Sequence, residues 1–161
     1  MTVFIESLIG IVIFSAIVLP ATLNDPMSMI SDYPPEIRER CYELGLIEQK
    51  TKRFTPKDYL RKGLAVVVLL IVFVYILKHF NHADTFWEGF RDSYLIWLAI
   101  DWFDALVIDI GVFCHSKRVQ IPGTEGMKAY KDYMFHIKQS MIGMGLGFPV
   151  CLLVGLFVTI L

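Results

Sequence analysis

Three carboxylates inside an apolar run of membrane-spanning length have the clearest capacity for chemistry in this chain. Asp101, Asp104 and Asp109 lie within DSYLIWLAIDWFDALVIDIGVFCH, residues 92–115. A charged side chain at the centre of a bilayer costs roughly 2.5 to 3.5 kcal/mol on insertion scales, so three in one helix demand partners, water or protons. On an α-helix turning about 100° per residue, Asp104 falls about 60° to one side of Asp101, Trp97 and His115 about 40° to that same side, and Asp109 about 80° to the other. Asp101 and Asp104 therefore read as a coupled pair on an inward-facing surface, with Asp109 on its flank. Two carboxylates this close in a poorly solvated site do not readily both ionise, so the pair holds an exchangeable proton. That suits proton-coupled transport, general acid and base chemistry, or a divalent cation with oxygen ligands.

A second constellation lies further along. At a rise of about 1.5 Å per residue, Asp109 stands about 7.5 Å beyond Asp104 and His115 about 9 Å beyond Asp109. The polar segment that follows carries Lys117, Arg118, Glu125 and His136. Asp109, His115, Glu125 and His136 are residue types that bind zinc or manganese, and they form the candidate metal set. Asp109, His115 and His136 are equally the candidate catalytic residues, either histidine acting as acid or base on a lipid headgroup while Asp109 orients it. Lys117 and Arg118 would then contact the phosphate or headgroup.

Each group also has a plainer role. Asp101 and Asp104 can accept hydrogen bonds from Ser7, Ser15, Tyr75 or Thr159, and Lys117 and Arg118 can serve as positive anchors at the membrane surface. No cofactor is required by the sequence, although the acidic residues would accept a divalent cation. No P-loop, G-x-S-x-G, H-E-x-x-H or dinucleotide fingerprint is present.

The elements that must position these residues follow from the apolar pattern. Hydrophobic residues make up 55% of the 161 and charged residues only 19%, which is a membrane composition. Four segments approach the roughly 20 residues needed to cross the hydrocarbon, at about 3–20, 59–80, 93–114 and 140–161. The expected fold is all-α, a single membrane domain over 1–161 built as a bundle of four transmembrane helices with short amphipathic cytoplasmic helices. The first segment has no Lys or Arg before its apolar run and reads as a retained helix, not a cleaved signal peptide.

Eight of the fifteen Lys and Arg lie between Arg38 and Lys62, five between Lys117 and Lys138, and two at Lys78 and Arg91. This asymmetry assigns the loops at about 21–58 and 115–139 to the cytoplasm and both termini to the outside of a cell membrane. A formal net charge of −1 provides no basic surface for nucleic acid.

Local signals set several boundaries. Pro34 and Pro35 open a short helix that carries Ile37, Cys41 and Leu44 on one side and that Gly45 should stop. Thr55-Pro56-Lys57-Asp58 and Thr85-Phe86-Trp87-Glu88 have the form of helix N-termini, the second that of a capping box. Pro122-Gly123 marks a turn, after which Thr124 should cap a helix beginning at Glu125. In the fourth span, Gly143 and Gly147 form a G-x-x-x-G face that fits close packing within the chain, a homo-oligomer or a larger membrane protein. Cys41, Cys114 and Cys151 have no C-x-x-C spacing and read as small buried or lipid-facing residues.

The leading expectation is thus a protein of the lipid bilayer whose acidic site on Asp101, Asp104 and Asp109 handles a proton, cation or small polar solute, as a transporter would. The alternatives are a membrane-embedded enzyme acting on a lipid or lipid-linked phosphate at the cytoplasmic interface, and a non-catalytic subunit of a membrane complex.

Overall fold

A computed structural model describes residues 2–48 and 55–161. Those residues are helical throughout, joined by turns and short connections, with no strand among them. Five α-helices follow in order: α1 (Thr2–Asn24), α2 (Pro35–Glu43), α3 (Pro56–Phe80), α4 (Phe86–Phe103) and α5 (Tyr133–Ile160). Part of the expected cytoplasmic loop 21–58, with its Lys50, Lys52 and Arg53, lies outside the described residues. Among the described residues three helices, α1, α3 and α5, are long and apolar enough to cross a membrane.

The helix starts are chemically explicit. The Thr55 hydroxyl accepts from the Asp58 backbone N–H, and Asp58 accepts from the Thr55 backbone in return, ahead of Pro56 at the first helical position. Thr85 and Glu88 repeat the exchange before α4, with Glu88 N–H to Thr85 Oγ1 at 3.3 Å and Thr85 N–H to Glu88 Oε2 at 3.0 Å. These bonds satisfy backbone donors that a helix N-terminus leaves unpaired. α2 ends at Glu43, and Gly45 follows at φ +68°, a backbone conformation that favours glycine.

Three expectations need correction. The third span is not α-helical from 93 to 114: α4 stops at Phe103, a π-helix takes over from Asp104 to Val112, and a single 3₁₀ turn covers Phe113–His115. A π-helix bonds i to i+5, which widens each turn and invalidates the 100° step used to place Asp109. The fourth helix begins at Tyr133 instead of Ser140, because Asp132 acts as its cap: Phe135 N–H donates to Asp132 Oδ1 at 3.0 Å. The helix expected from Glu125 is absent. Gly123 and Gly126 take φ of +85° and +76°, which breaks any helix there, and only a 3₁₀ turn at Lys128–Lys131 precedes α5.

The chain divides into two compact units, described in turn. The first comprises Met1–Gly10, Thr51–Ile100 and Ile142–Leu161. Phe73, Val74 and Leu77 of α3, Ile96 of α4, and Val154 and Val158 of α5 are buried together with Ala83. Small residues bring α4 and α5 together, because a missing side chain lets the two backbones approach closely. A Cβ on Gly155 would stand 2.7 Å from the Phe86 carbonyl oxygen, and one on Gly89 would stand 3.0 Å from Gly155 Cα. A Cβ on Gly147 would collide with the Trp97 indole, whose Nε1 donates to the Gly143 carbonyl at 3.1 Å. The close approach that Gly143 and Gly147 permit is thus used within the chain.

The second unit comprises Ile11–Lys50 and Asp101–Met141. Its core gathers Tyr33, Ile37, Cys41, Ile121 and Tyr130. Polar contacts tie the 116–131 connection down. Tyr33 OH donates to the Val119 carbonyl at 2.8 Å, Ile121 N–H donates to Tyr130 OH at 2.9 Å, and Thr124 Oγ1 lies 2.6 Å from Tyr130 OH. The two tyrosine rings meet edge to face at 6.0 Å. Burial pushes the Tyr33 phenol above its ordinary range and also raises the Cys41 thiol.

Candidate functional site

All the groups described below belong to the second unit. Asp101 stands two residues before the end of α4, and Asp104 opens the π-helix that also carries Asp109. Residues five apart in a π-helix take the stacked relation that residues four apart have in an α-helix, so Asp104 and Asp109 share a face. On the opposing element, His136 and Ser140 are one turn apart on α5 and are 8% and 5% exposed. The repeats match, so α5 can answer the acidic ladder with a ladder of its own.

Two contacts join the ladders. Ser140 Oγ donates to Asp101 Oδ2. His136 Nδ1 lies 2.9 Å from Asp109 Oδ2, with the two side chains only 10% and 24% exposed. A carboxylate can only accept, so Nδ1 carries the hydrogen and donates it. The Cys114 side chain, 5% exposed in the 3₁₀ turn that ends the π-helix, is near enough to His136 to act on it electrostatically.

Asp104 is different. Its Oδ1 is buried and has no hydrogen-bond partner, while the carboxyl groups of Asp109, Asp101 and Asp32 and the His136 ring all act on it electrostatically. A buried carboxyl oxygen without a donor costs on the order of 1 to 3 kcal/mol or more, and few native groups are left in that condition. The expected coupled pair, Asp101 with Asp104, is therefore asymmetric: one carboxyl has a hydroxyl donor, and the other has an oxygen that accepts nothing.

The remaining candidates go elsewhere. His115 is exposed, with Nδ1 2.8 Å from the Ile110 carbonyl, Nε2 3.2 Å from Tyr133 OH and its ring stacked on Tyr133. Glu125 accepts from the Gly123 N–H at 2.7 Å and so holds its own turn. Of the four candidate metal ligands, Asp109 and His136 pair directly. Among the described residues no three His, Cys, Asp or Glu side chains are arranged to hold a metal ion. Lys117 and Arg118 are exposed on a 3₁₀ turn capped by Ser116, three residues after Cys114 at the nearer end.

Sequence reasoning missed two participants. Ser140 could have been found from its i, i+4 relation to His136, which puts both on one face of α5. Cys114 falls five residues after Asp109, a relation that signals nothing while the segment is read as α-helix.

The arrangement can relay or exchange a proton. Asp109 fixes the orientation of the His136 ring, and the second ring nitrogen of His136 can take up or release a proton. In comparisons with protein-family models, curated proteins and solved structures, nothing matches this chain.

Proposed function

We propose that this chain is an integral membrane protein of four spans that performs acid–base chemistry on a lipid or lipid-linked substrate at the cytoplasmic face of the membrane. In this reading His136 is the acid or base and Asp109 is the positioning residue that holds its ring. The observation that carries it is the 2.9 Å hydrogen bond between His136 Nδ1 and Asp109 Oδ2, made by two largely buried side chains. A general acid or base needs a fixed ring and a defined proton position, and a carboxylate on one imidazole nitrogen provides both.

The span added to α1, α3 and α5 is the third one, the segment at 93–114, in which the α and π turns keep backbone hydrogen bonds inside the helix, as a lipid environment requires. The excess of Lys and Arg in 38–62 and 117–138 supports cytoplasmic loops after the first and third spans. Cys114, Lys117 and Arg118 then sit at the headgroup boundary, where cationic side chains attract anionic lipid.

A second reading is favoured by one feature, the unpartnered Asp104 oxygen amid Asp101, Asp109, Asp32 and His136. Chains of Asp and His inside a membrane form proton relays, so the same cluster would pass a proton or cation.

One preparation separates the two. The purified protein is placed in vesicles of phosphatidylethanolamine and phosphatidylglycerol doped with a polyprenyl diphosphate. Lipid composition is followed by mass spectrometry and internal pH by an enclosed dye. The enzyme reading predicts a changed lipid species, with turnover about 100-fold slower or more in His136→Gln. Asp109→Asn should also slow it, and Asp109→Glu should restore part of the loss. Unchanged lipids with a proton flux that disappears in Asp104→Asn would replace this reading with the second.

A further inference from the structure

α3, in the first unit, carries a groove that plays no part in the acidic site. Its lining is Arg61, Leu64, Ala65, Val68, Leu69 and Val72, and its volume is about 410 Å³. These residues recur at intervals of three and four, so one face of a single helix supplies them. Leu69 packs against the core that includes Phe73, Val74 and Leu77, while Leu64, Val68 and Val72 are exposed. Ala65 has the smallest side chain of the six and leaves room beside Leu64 and Val68.

One end of the groove is cationic. Arg61 lines it, and Lys57 lies one turn earlier on the same face. Both are exposed, and among the described residues neither is in an ion pair. Asp58, the acidic residue between them, accepts from the Thr55 N–H and hydroxyl at 2.9 and 2.8 Å. Lys78, near the far end of α3, differs: its ammonium lies 2.9 Å from Asp84. Two cations thus stand at the start of the groove, and only hydrocarbon side chains line it from Leu64 to Val72.

The length of the groove is informative. Arg61 to Val72 advances eleven residues, about 16 Å at a rise of about 1.5 Å each. One leaflet of hydrocarbon is about 15 Å thick, half of the roughly 30 Å bilayer core. A groove that opens at cations and runs the depth of one leaflet has the dimensions and charge of a phospholipid, phosphate first and acyl chain after. The ammonium of a zwitterionic headgroup would meet the same cations, so the match is to a headgroup of net negative charge.

We propose that this groove binds one anionic phospholipid of the leaflet in which α3 begins, with the phosphate on Arg61 and Lys57 and one acyl chain along the stripe from Leu64 to Val72. The assignment rests on the membrane reading above, which gives that end of α3 to the cytoplasmic side, and is independent of the chemistry at His136. The cytoplasmic leaflet is the one rich in anionic lipid, so the ligand is present where the groove opens.

The test uses the full chain in vesicles of equal phosphatidylglycerol and phosphatidylethanolamine. The protein is floated with them on a density gradient, extracted into detergent, and read by native mass spectrometry for retained lipid. One phosphatidylglycerol per chain is expected, in about tenfold excess or more over phosphatidylethanolamine. Each cation removed should weaken retention about fivefold, so Lys57→Gln with Arg61→Gln should weaken it about 25-fold. Ala65→Trp fills the groove without altering charge and should also remove the lipid, whereas Lys128→Gln, in the other unit, should change nothing. Circular dichroism checks the helical fold of each variant.

Equal retention of the two lipids, or retention untouched by the cation variants, would mean a non-selective lipid coat and overturns the proposal. Loss in the cation variants with none in Ala65→Trp would mean charge attraction without an occupied groove, and overturns it too. A dimer that Ala65→Trp converts to monomers, with lipid retention unchanged, would give this face to a second copy of the chain instead. A protein that does not float with the vesicles removes the membrane reading along with this one. Retention is measured without turnover, so a floating protein that keeps no lipid leaves the acid–base reading standing.

Discussion

Tyr130 holds the connection that links Cys114 to His136, and Tyr130→Phe should release one identifiable backbone group. The phenol is 6% exposed, and its oxygen accepts the Ile121 N–H at 2.9 Å at a residue that is itself fully buried. Removing the hydroxyl keeps the ring and its edge-to-face contact with Tyr33, so little packing is lost. The Ile121 N–H is left buried without an acceptor, which costs about 1 to 3 kcal/mol. Hydrogen exchange at that amide should then be about 5- to 150-fold faster, at 1.4 kcal/mol per factor of ten. Thr124→Val is the matched control. It removes the hydroxyl 2.6 Å from Tyr130 OH and the donor to the Ile121 carbonyl, but the Ile121 N–H keeps its acceptor. Amide-resolved exchange on the two variants reads the difference. Equal protection of Ile121 in both variants would refute the assignment of that bond as the anchor.

Other consequences are more local. Gly155→Ala places a methyl 2.7 Å from the Phe86 backbone oxygen and should lower thermal stability by about 1 to 3 kcal/mol. Gly145→Ala, with nothing within 4 Å of the added carbon, should raise stability by about 0.5 to 1 kcal/mol in the same melting experiment. Glu88, outside the 93–114 segment, is held below its ordinary value near 4.5 first by the Asp84 N–H and then by the Thr85 hydroxyl and N–H. A depressed carboxyl contributes stability above its unfolded value and loses it as pH falls through the lower folded value. Protection of the first amides of α4, taken relative to the intrinsic exchange rate at each pH, should therefore fall below about pH 4.5, and Glu88→Gln should abolish that change in protection.

What the sequence reveals here is mostly what neighbours in the chain decide. The boxes at Thr55–Asp58 and Thr85–Glu88, the prolines that open α2 and α3, and the glycine after α2 are each settled within four residues. The membrane-length apolar runs behind α1, α3 and α5 are read from composition alone. The cap at Asp132 was equally local but lay in a stretch whose charges suggested a loop, and the expected cap at Thr124 failed because its hydroxyl serves Tyr130 and the Ile121 carbonyl instead. The site was half legible. Asp109 and His136 stand out by residue type, but which histidine meets which aspartate is fixed by packing across 27 residues. The silence of Cys114 has the same origin, since nothing near it in the chain marks it as a neighbour of His136.

The π-helix is where periodicity misled, and it makes a prediction of its own. Counting at α-helical pitch put Asp109 on the flank of the acidic face, whereas i to i+5 bonding stacks it below Asp104 and lets it meet His136. Wide turns of this kind are frequent at functional sites, and one is equivalent to an α-helix carrying one extra residue. Deleting Val107, which is 45% exposed within the π stretch, should let that stretch tighten toward α geometry. Asp109 would then follow Asp104 at i+4 and stay on its face, with the residues beyond it rotated little. Deleting Leu95, 48% exposed in the regular part of α4, has no wide turn to absorb it. Every later residue of that helix would rotate by about 100°, carrying the buried Ile96 and the Trp97 contact with Gly143 out of place. The first deletion should yield a folded protein that keeps the His136–Asp109 bond, read as a slowly exchanging imidazole N–H proton. The second should not fold. Equal loss of fold in both deletions would mean that the wide turns are required by packing, and that they do not serve to bring Asp109 to His136.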